Sequence, residues 1–179
     1  MGQAARLPDP ERLKGYAKHV FDQLAGATTS ALIYLGDHLG LFEALAGSGP
    51  ASSAELAGRT GLDERWLREW LQGLGAARIL DYHGEGRFAL SPEAELVLAR
   101  EDHPAFGAGM FSQLSKTMGV LEQLPASFRT GMGLPYDALG PEGAHSVERG
   151  FAPWYRNLLV PYALPRLEGV VEKIGRAHV

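Results

Sequence analysis

Histidine is the side chain best suited to proton transfer near neutral pH, and six are present: His19, His38, His83, His103, His145 and His178. No two stand four apart on a helix, and none neighbours a carboxylate at metal-ligand spacing. They read as surface or locally hydrogen-bonded residues. Cys is absent, which removes thiolate metal sites and disulfides. There is no G-x-S-x-G nucleophile elbow and no phosphate loop ending in Gly-Lys-Ser/Thr. Gly107-Ala108-Gly109 has the start of a dinucleotide-binding turn, but no strand precedes it and Ser112 stands where the third glycine belongs. It reads as a helix-packing feature, and so does Gly73-Leu74-Gly75 late in a helix.

What remains is aromatic. Phe151, Trp154, Tyr155 and Tyr162 crowd one helical stretch. Such a cluster packs into a core or a dimer interface, or it walls an apolar substrate pocket, since pockets are lined by aromatics with a few polar groups. Under the pocket reading Phe151, Trp154 and Tyr155 are the candidate substrate-binding residues. Arg156 and His145 are then available as the polar groups.

The elements that must position this cluster begin with residues 11–46, which read as two helices with a soft joint near Gly26. Leu32, Leu35, Leu39 and Phe42 recur three or four apart on one face. Gly47-Ser48-Gly49-Pro50 breaks the block. Ser52 with Glu55 three residues on is a capping box for a short helix. Asp63 caps a third helix reaching about Ala77, with Trp66, Leu67, Trp70, Leu71 and Leu74 as its apolar stripe. Alternating runs 79–83 and 87–90 around Gly84-Glu85-Gly86 signal a β-hairpin. Ser91 and Pro92 start another helix. Three helices followed by a two-stranded wing make a winged-helix arrangement over residues 32–90.

A winged helix can place its second helix in a DNA major groove. Here residues 52–78 hold Arg59, Arg65, Arg68 and Arg78 against Glu55, Asp63, Glu64 and Glu69, and the wing tip adds Glu85 beside Arg87. Carboxylates facing phosphates are repelled, and the whole chain carries −4 where a nucleic-acid reader carries a basic surplus. Nucleic acid is therefore not the expected partner, and Trp66 and Trp70 read as core residues.

Beyond the wing, Phe106, Met110, Leu114, Leu121 and Leu124 have near-helical spacing. Residues 131–143 form a Gly- and Pro-rich loop, and residues 145–160 are helical, with interruptions at Pro153 and Pro161. Pro165 opens a last amphipathic segment, 167–174. The 179 residues, 45% hydrophobic and 21% charged, suit an ordinary globular protein. No run of 18 apolar residues offers a membrane span. The first residues lack a signal-peptide core, so a cytoplasmic protein is expected.

Three stretches carry a family resemblance: Ala31-Leu-Ile-Tyr-Leu-Gly-Asp-His-Leu-Gly-Leu-Phe-Glu-Ala-Leu45, Ser53-Ala-Glu-Leu-Ala-Gly-Arg-Thr-Gly-Leu62 and Glu64-Arg-Trp-Leu-Arg-Glu-Trp-Leu71. With the wing and Leu90-Ser91-Pro92 after them, they resemble the N-terminal domain of bacterial class I methyltransferases that use S-adenosylmethionine (SAM), of the small-molecule O-methyltransferase type. Residues 106–167 are similar to a mycobacterial subgroup in particular. The resemblance spans about residues 13–173. It implies a homodimer and a small-molecule methyl acceptor partly covered by this domain. It also implies SAM held in a following Rossmann-like domain. That domain's D/E-x-G-x-G-x-G pattern does not occur here, so no catalytic or cofactor-binding residue is carried over. Ile174-Gly-Arg-Ala-His-Val179 is similar to the translation of a common DNA-sequencing adapter, which would make it an artefactual tail on a truncated reading frame.

The expected fold is mostly α: a winged helix-turn-helix with a two-stranded β wing plus additional helices, the Rossmann-like SAM domain missing. The expected divisions are residues 11–100 as the winged-helix dimerisation domain, 101–173 as a helical extension and linker, and 174–179 as the tail. A fragment of this kind should be inactive alone. The alternatives are a winged-helix transcriptional regulator and a purely structural dimerisation module.

Overall fold

The computed structural model describes residues 8–176; His178 and residues 177–179 of the suspected tail lie outside them. Helix α1 runs Pro10–His38, started by Asp9, whose carboxylate accepts from the Glu11 and Arg12 amides at 2.9 and 3.0 Å. It is continuous through Gly26, where the sequence predicted a joint. An isolated glycine costs a helix about 1 kcal/mol but does not stop it. The hydroxyls of Thr28, Thr29 and Ser30 bond back to the carbonyls of residues 24, 25 and 26. The break comes at Gly40, whose φ of +67° is a left-handed conformation that ends one helix and begins α2, Leu41–Leu45.

Helix α3, Ser53–Thr60, opens on the predicted capping box. The Ser52 amide donates to Glu55 Oε2 at 2.7 Å, and the Glu55 amide donates to Ser52 Oγ at 3.3 Å. Helix α4, Glu64–Ala76, is capped by Asp63. Strands β1, Asp81–Tyr82, and β2, Phe88–Ala89, pair antiparallel with Asp81 opposite Ala89. They are shorter than the alternating runs that predicted them. Ala51 adds a bridge to Phe88, with amide-to-carbonyl bonds of 2.9 Å in both directions. Helix α5, Pro92–Leu98, starts at Ser91 as expected.

These elements enclose the core. Phe42, Leu41, Leu45, Leu56, Leu71 and Leu74 are fully buried, and Ile33, Leu67, Trp70, Leu80 and Phe88 join them. Each such side chain contributes about 1.5–3 kcal/mol on leaving water. On α4 the buried residues are Leu67, Trp70, Leu71 and Leu74, spaced three and four apart. Trp66, predicted to be core, lies one residue outside that stripe and is 75% exposed. On α1 the inward positions are Ile33, Gly36 and Asp37, so Leu35 and Leu39, predicted on the apolar face, stand exposed.

The glycines late in α4 are packing glycines. A Cβ on Gly73 would meet Leu32 Cδ1 at 2.6 Å, and one on Gly75 would meet Phe88 Cε1 at 2.5 Å. By contrast, residues 8–28 of α1 are exposed almost throughout, with Leu13, Tyr16, Val20, Phe21 and Leu24 all at least half exposed.

After α5 the chain is helical again, as the spacing of Phe106 to Leu124 predicted, but only in short pieces. It breaks into a 3₁₀ turn at Ala108–Phe111, α6 at Leu114–Gly119, another 3₁₀ turn at Leu121–Gln123 and α7 at Leu124–Thr130. The predicted loop 131–143 contains a third 3₁₀ turn, Tyr136–Leu139, and the start of α8, Pro141–Trp154. A nine-residue π-helical stretch, Tyr155–Ala163, follows, then a 3₁₀ turn at Leu164–Arg166 and α9, Val170–Arg176. No helix of the described residues is long and apolar enough to cross a membrane.

Candidate functional site

Helix α8 carries the aromatic cluster. Pro153 sits inside it and removes one amide from the ladder. The chain answers by widening into the π-helical stretch, which takes in Pro161, while Asn157 Nδ2 donates to the Pro153 carbonyl at 2.8 Å. Pro153 thus precedes a change of helical type and Pro161 lies within the π-helical stretch, so neither proline ends the helical run. Stretches of π-helix are often found at functional sites.

Phe151 and Tyr155, one turn apart, have ring centroids 6.3 Å apart, and Trp154 meets Tyr155 edge-on at 5.3 Å. The three are 44%, 46% and 47% exposed, so they form a half-buried ledge, one that can still stack against a flat apolar partner. Tyr162 stands apart from them, its ring under the Arg166 guanidinium at 5.9 Å. Arg156 is exposed, and His145 lies 3.6 Å from Glu148 on the surface. Two open clefts are lined by other residues. One of about 370 Å³ lies beside the wing among Leu45, Glu95 and Leu96, and one of about 490 Å³ lies among Leu121, Leu124 and Phe128.

The expectation that Gly107-Ala108-Gly109 serves packing is met by the geometry. A Cβ on Gly109 would lie 3.1 Å from the Arg149 carbonyl of α8, and one on Gly150 would lie 3.5 Å from the Gly109 carbonyl. Backbone therefore crosses backbone where α8 meets this turn. Gln113 Nε2 donates to the Gly143 carbonyl at 3.0 Å across the same contact.

An ion pair that no spacing pattern marks stands at this crossing. The Asp37 side chain is 2% exposed at the end of α1, and Arg149 of α8 reaches it with a two-pronged contact, Nη2 donating to Oδ1 at 2.9 Å and Nη1 to Oδ2. Arg149 Nε donates to Glu101 Oε1 at 3.0 Å, and the guanidinium lies 5.6 Å from the Phe106 ring centroid. The hydrogen bonds that Arg149 donates to Asp37, more than the one to Glu101, hold its pKa further above its ordinary value, against the opposing effect of burial. Beside them, burial pushes the Glu43 carboxyl up, and the negative Asp37 adds to the rise. Removing one member of such a buried pair typically costs about 3–5 kcal/mol. Only one signal was available beforehand: an Asp on the inward face of an apolar helix needs a partner. Nothing in the spacing says that the partner lies 112 residues away.

The described residues contain no group of three or more His, Asp or Glu able to hold a metal. Among these residues the strands are the two short wing strands, and Gly73, Gly75 and Gly109 are occupied in packing.

Comparison with known proteins agrees with this architecture. Residues 27–100 match the family model of the Rv2258c-like winged HTH domain. Among solved structures, the chain is similar to the mitomycin 7-O-methyltransferase MmcR, with a TM-score of 0.65 and 22% identity, covering 82% of this chain and 46% of that one. It is similar to the N,N-8-amino-8-demethyl-D-riboflavin dimethyltransferase RosA from Streptomyces davawensis, with a TM-score of 0.61 and 26% identity, covering 77% and 44%. It also resembles CalO1, a methyltransferase of calicheamicin biosynthesis in its SAH-bound form, with a TM-score of 0.55 and 25% identity, covering 82% and 46%. No curated protein matches the chain by sequence search. The chain spans less than half the length of each of these three structures. Residues 27–100 thus match a winged helix-turn-helix domain of the Rv2258c-like type, within a chain whose fold is similar to that of methyltransferase structures.

Proposed function

We propose that this chain is the N-terminal part of a cytoplasmic SAM-dependent methyltransferase acting on a small molecule. Its contribution is subunit pairing and one wall of the acceptor site. The observation that carries the reading is the joint one: a winged helix followed by the broken helical extension, laid over about four-fifths of the chain onto methyltransferase structures. The charge balance supports an enzyme domain over a DNA reader, since Arg68 is engaged by Glu64 at 3.5 Å and Arg87 by Glu55 at 2.8 Å.

SAM belongs, in this reading, to a Rossmann-like domain outside the sequence given. When bound there it supplies the methyl group. The residues of this chain act on the acceptor. Phe151, Trp154 and Tyr155 stack against it, exclude water and hold it in near-attack geometry. The exposed front of α1, with Leu13, Tyr16, Val20 and Leu24 recurring at helical spacing, is the surface that a second subunit covers.

The first test is to sequence the source DNA beyond the Lys173 codon and express the longer frame. A strand ending in an acidic residue followed by a Gly-x-Gly-x-Gly loop is expected, with SAM binding and methyl transfer in the product. In that enzyme Trp154→Ala should raise the acceptor KM about tenfold or more, for loss of about 1.4 kcal/mol or more of contact. Unchanged acceptor affinity in a stable dimer would assign α8 a purely structural role. A frame that closes at Val179 would overturn the methyltransferase reading.

A further inference from the structure

We propose that Asp37 and Arg149 are a positioning pair that fixes the rotation of α8 about its own axis, and with it the direction in which Phe151, Trp154 and Tyr155 face. The inference rests on the reading that this ledge contacts the acceptor, and it adds residues that never touch the acceptor to the set that governs its binding.

The geometry argues it from both sides of the helix. At 100° per residue, Phe151, Trp154 and Tyr155 fall about 140–240° around α8 from Arg149. The ion pair and the aromatic ledge are therefore on opposite faces. A planar guanidinium that meets a carboxylate through both oxygens has one favoured orientation, so the pair sets an angle as well as a distance. Arg149 is held further by Glu101 at Nε and by the Phe106 ring beneath it. Asp37 is equally fixed, being the most deeply buried charged residue described, on the part of α1 that lies against the winged-helix core. Close to Arg149, the Gly109–Gly150 approach leaves the backbones almost in contact, so little side-chain packing is available there to resist rotation. Beyond Arg149 the ledge follows within six residues, on a helix already loosened by Pro153. Besides the bonds from Gln113 and Ser112 to the Gly143 and Ser146 carbonyls earlier on the helix, the fork is the angular restraint that stands nearest the ledge.

The test uses the 179-residue chain and needs no methyl transfer. In a Trp66→Phe background, Trp70 is 4% exposed and Trp154 is 46% exposed, so collisional quenching by iodide reads Trp154. Arg149→Met is expected to change the Trp154 quenching constant. It should also raise amide hydrogen exchange over residues 145–163 by about tenfold or more beyond any rise over residues 64–76 in the core. Arg149→Lys keeps the charge without the fork and serves if the Met variant folds poorly; it should shift the same two readouts in the same direction by a smaller factor. Unchanged quenching and exchange over 145–163 would overturn the proposal. So would equal loosening of 145–163 and 64–76, since that marks a general stability role. A ledge that moves in these variants, yet binds no acceptor in the longer enzyme, would sink the acceptor reading and leave the positioning pair intact.

Discussion

Two glycines on one helix should respond to the same substitution with opposite signs. Gly36 of α1 faces the core, where a Cβ would lie 2.6 Å from Trp70 Cζ2 and 2.7 and 2.8 Å from Phe42 Cε2 and Cζ. Neither ring can retreat. Phe42 is fully buried, and Trp70 is held by its indole N–H, which donates to the Leu32 carbonyl at 2.9 Å. Overpacking of this kind costs about 1–3 kcal/mol, against about 0.5–1 kcal/mol gained when Ala replaces Gly in a helix. The difference, about 0–2.5 kcal/mol and centred near 1, makes Gly36→Ala a net loss with a fall in Tm of roughly 2–4 °C for a chain of this size. Gly26 has nothing within 4 Å, so Gly26→Ala keeps the helical gain of about 0.5–1 kcal/mol and raises Tm by roughly 1–4 °C. Urea and thermal unfolding followed by Trp fluorescence and far-ultraviolet circular dichroism would measure both. Gly36→Ala at or above wild-type stability refutes the packing argument. Gly26→Ala falling as far as Gly36→Ala refutes the continuous α1.

Other expectations follow from the same structure. The capping amide and hydroxyl of Ser52 and the Arg87 guanidinium hold the Glu55 carboxyl down at about 2, below its ordinary 4.5. A depressed carboxyl stabilises the fold above its unfolded value, and that contribution fades as pH falls from about 4.5 toward 2. Glu55→Gln should flatten the acid limb of a urea-midpoint series over that window, and parallel curves would refute it. Trp70→Phe should cost about 2 kcal/mol through the lost indole hydrogen bond and lost volume. Trp66→Phe, at a 75% exposed position, should change stability by less than about 0.5 kcal/mol in the same melts. Equal effects would contradict the assigned inner face of α4.

Local rules carried the reading of the winged helix a long way. The caps at Ser52, Asp63 and Ser91 each act between residues three apart, so their chemistry is complete in a short window of sequence. The hairpin around Gly84-Glu85-Gly86 is equally local: all three residues take positive φ there. The same rules misplaced Trp66, because an apolar stripe read at helical spacing does not say where its edge falls. They also misplaced the joint in α1, where Gly26 and Gly40 look alike until a left-handed φ distinguishes them. After the wing, apolar spacing suggested helix without saying where it divides, and tertiary packing made short turns, the first of which meets α1 and α8. The ledge of Phe151, Trp154 and Tyr155 was legible as a cluster, since one-turn spacing is local. Its half-exposed setting on the far side from Arg149 was not.

By itself, then, the sequence determined the element types of the winged helix, its caps, the wing and the aromatic cluster, each fixed by interactions spanning a few residues. Only the tertiary structure decided which glycines touch rings, which Trp is buried and that Asp37 meets Arg149. Those outcomes depend on contacts between distant segments, and the side-chain pattern along one segment holds no information about the surface that will arrive opposite it.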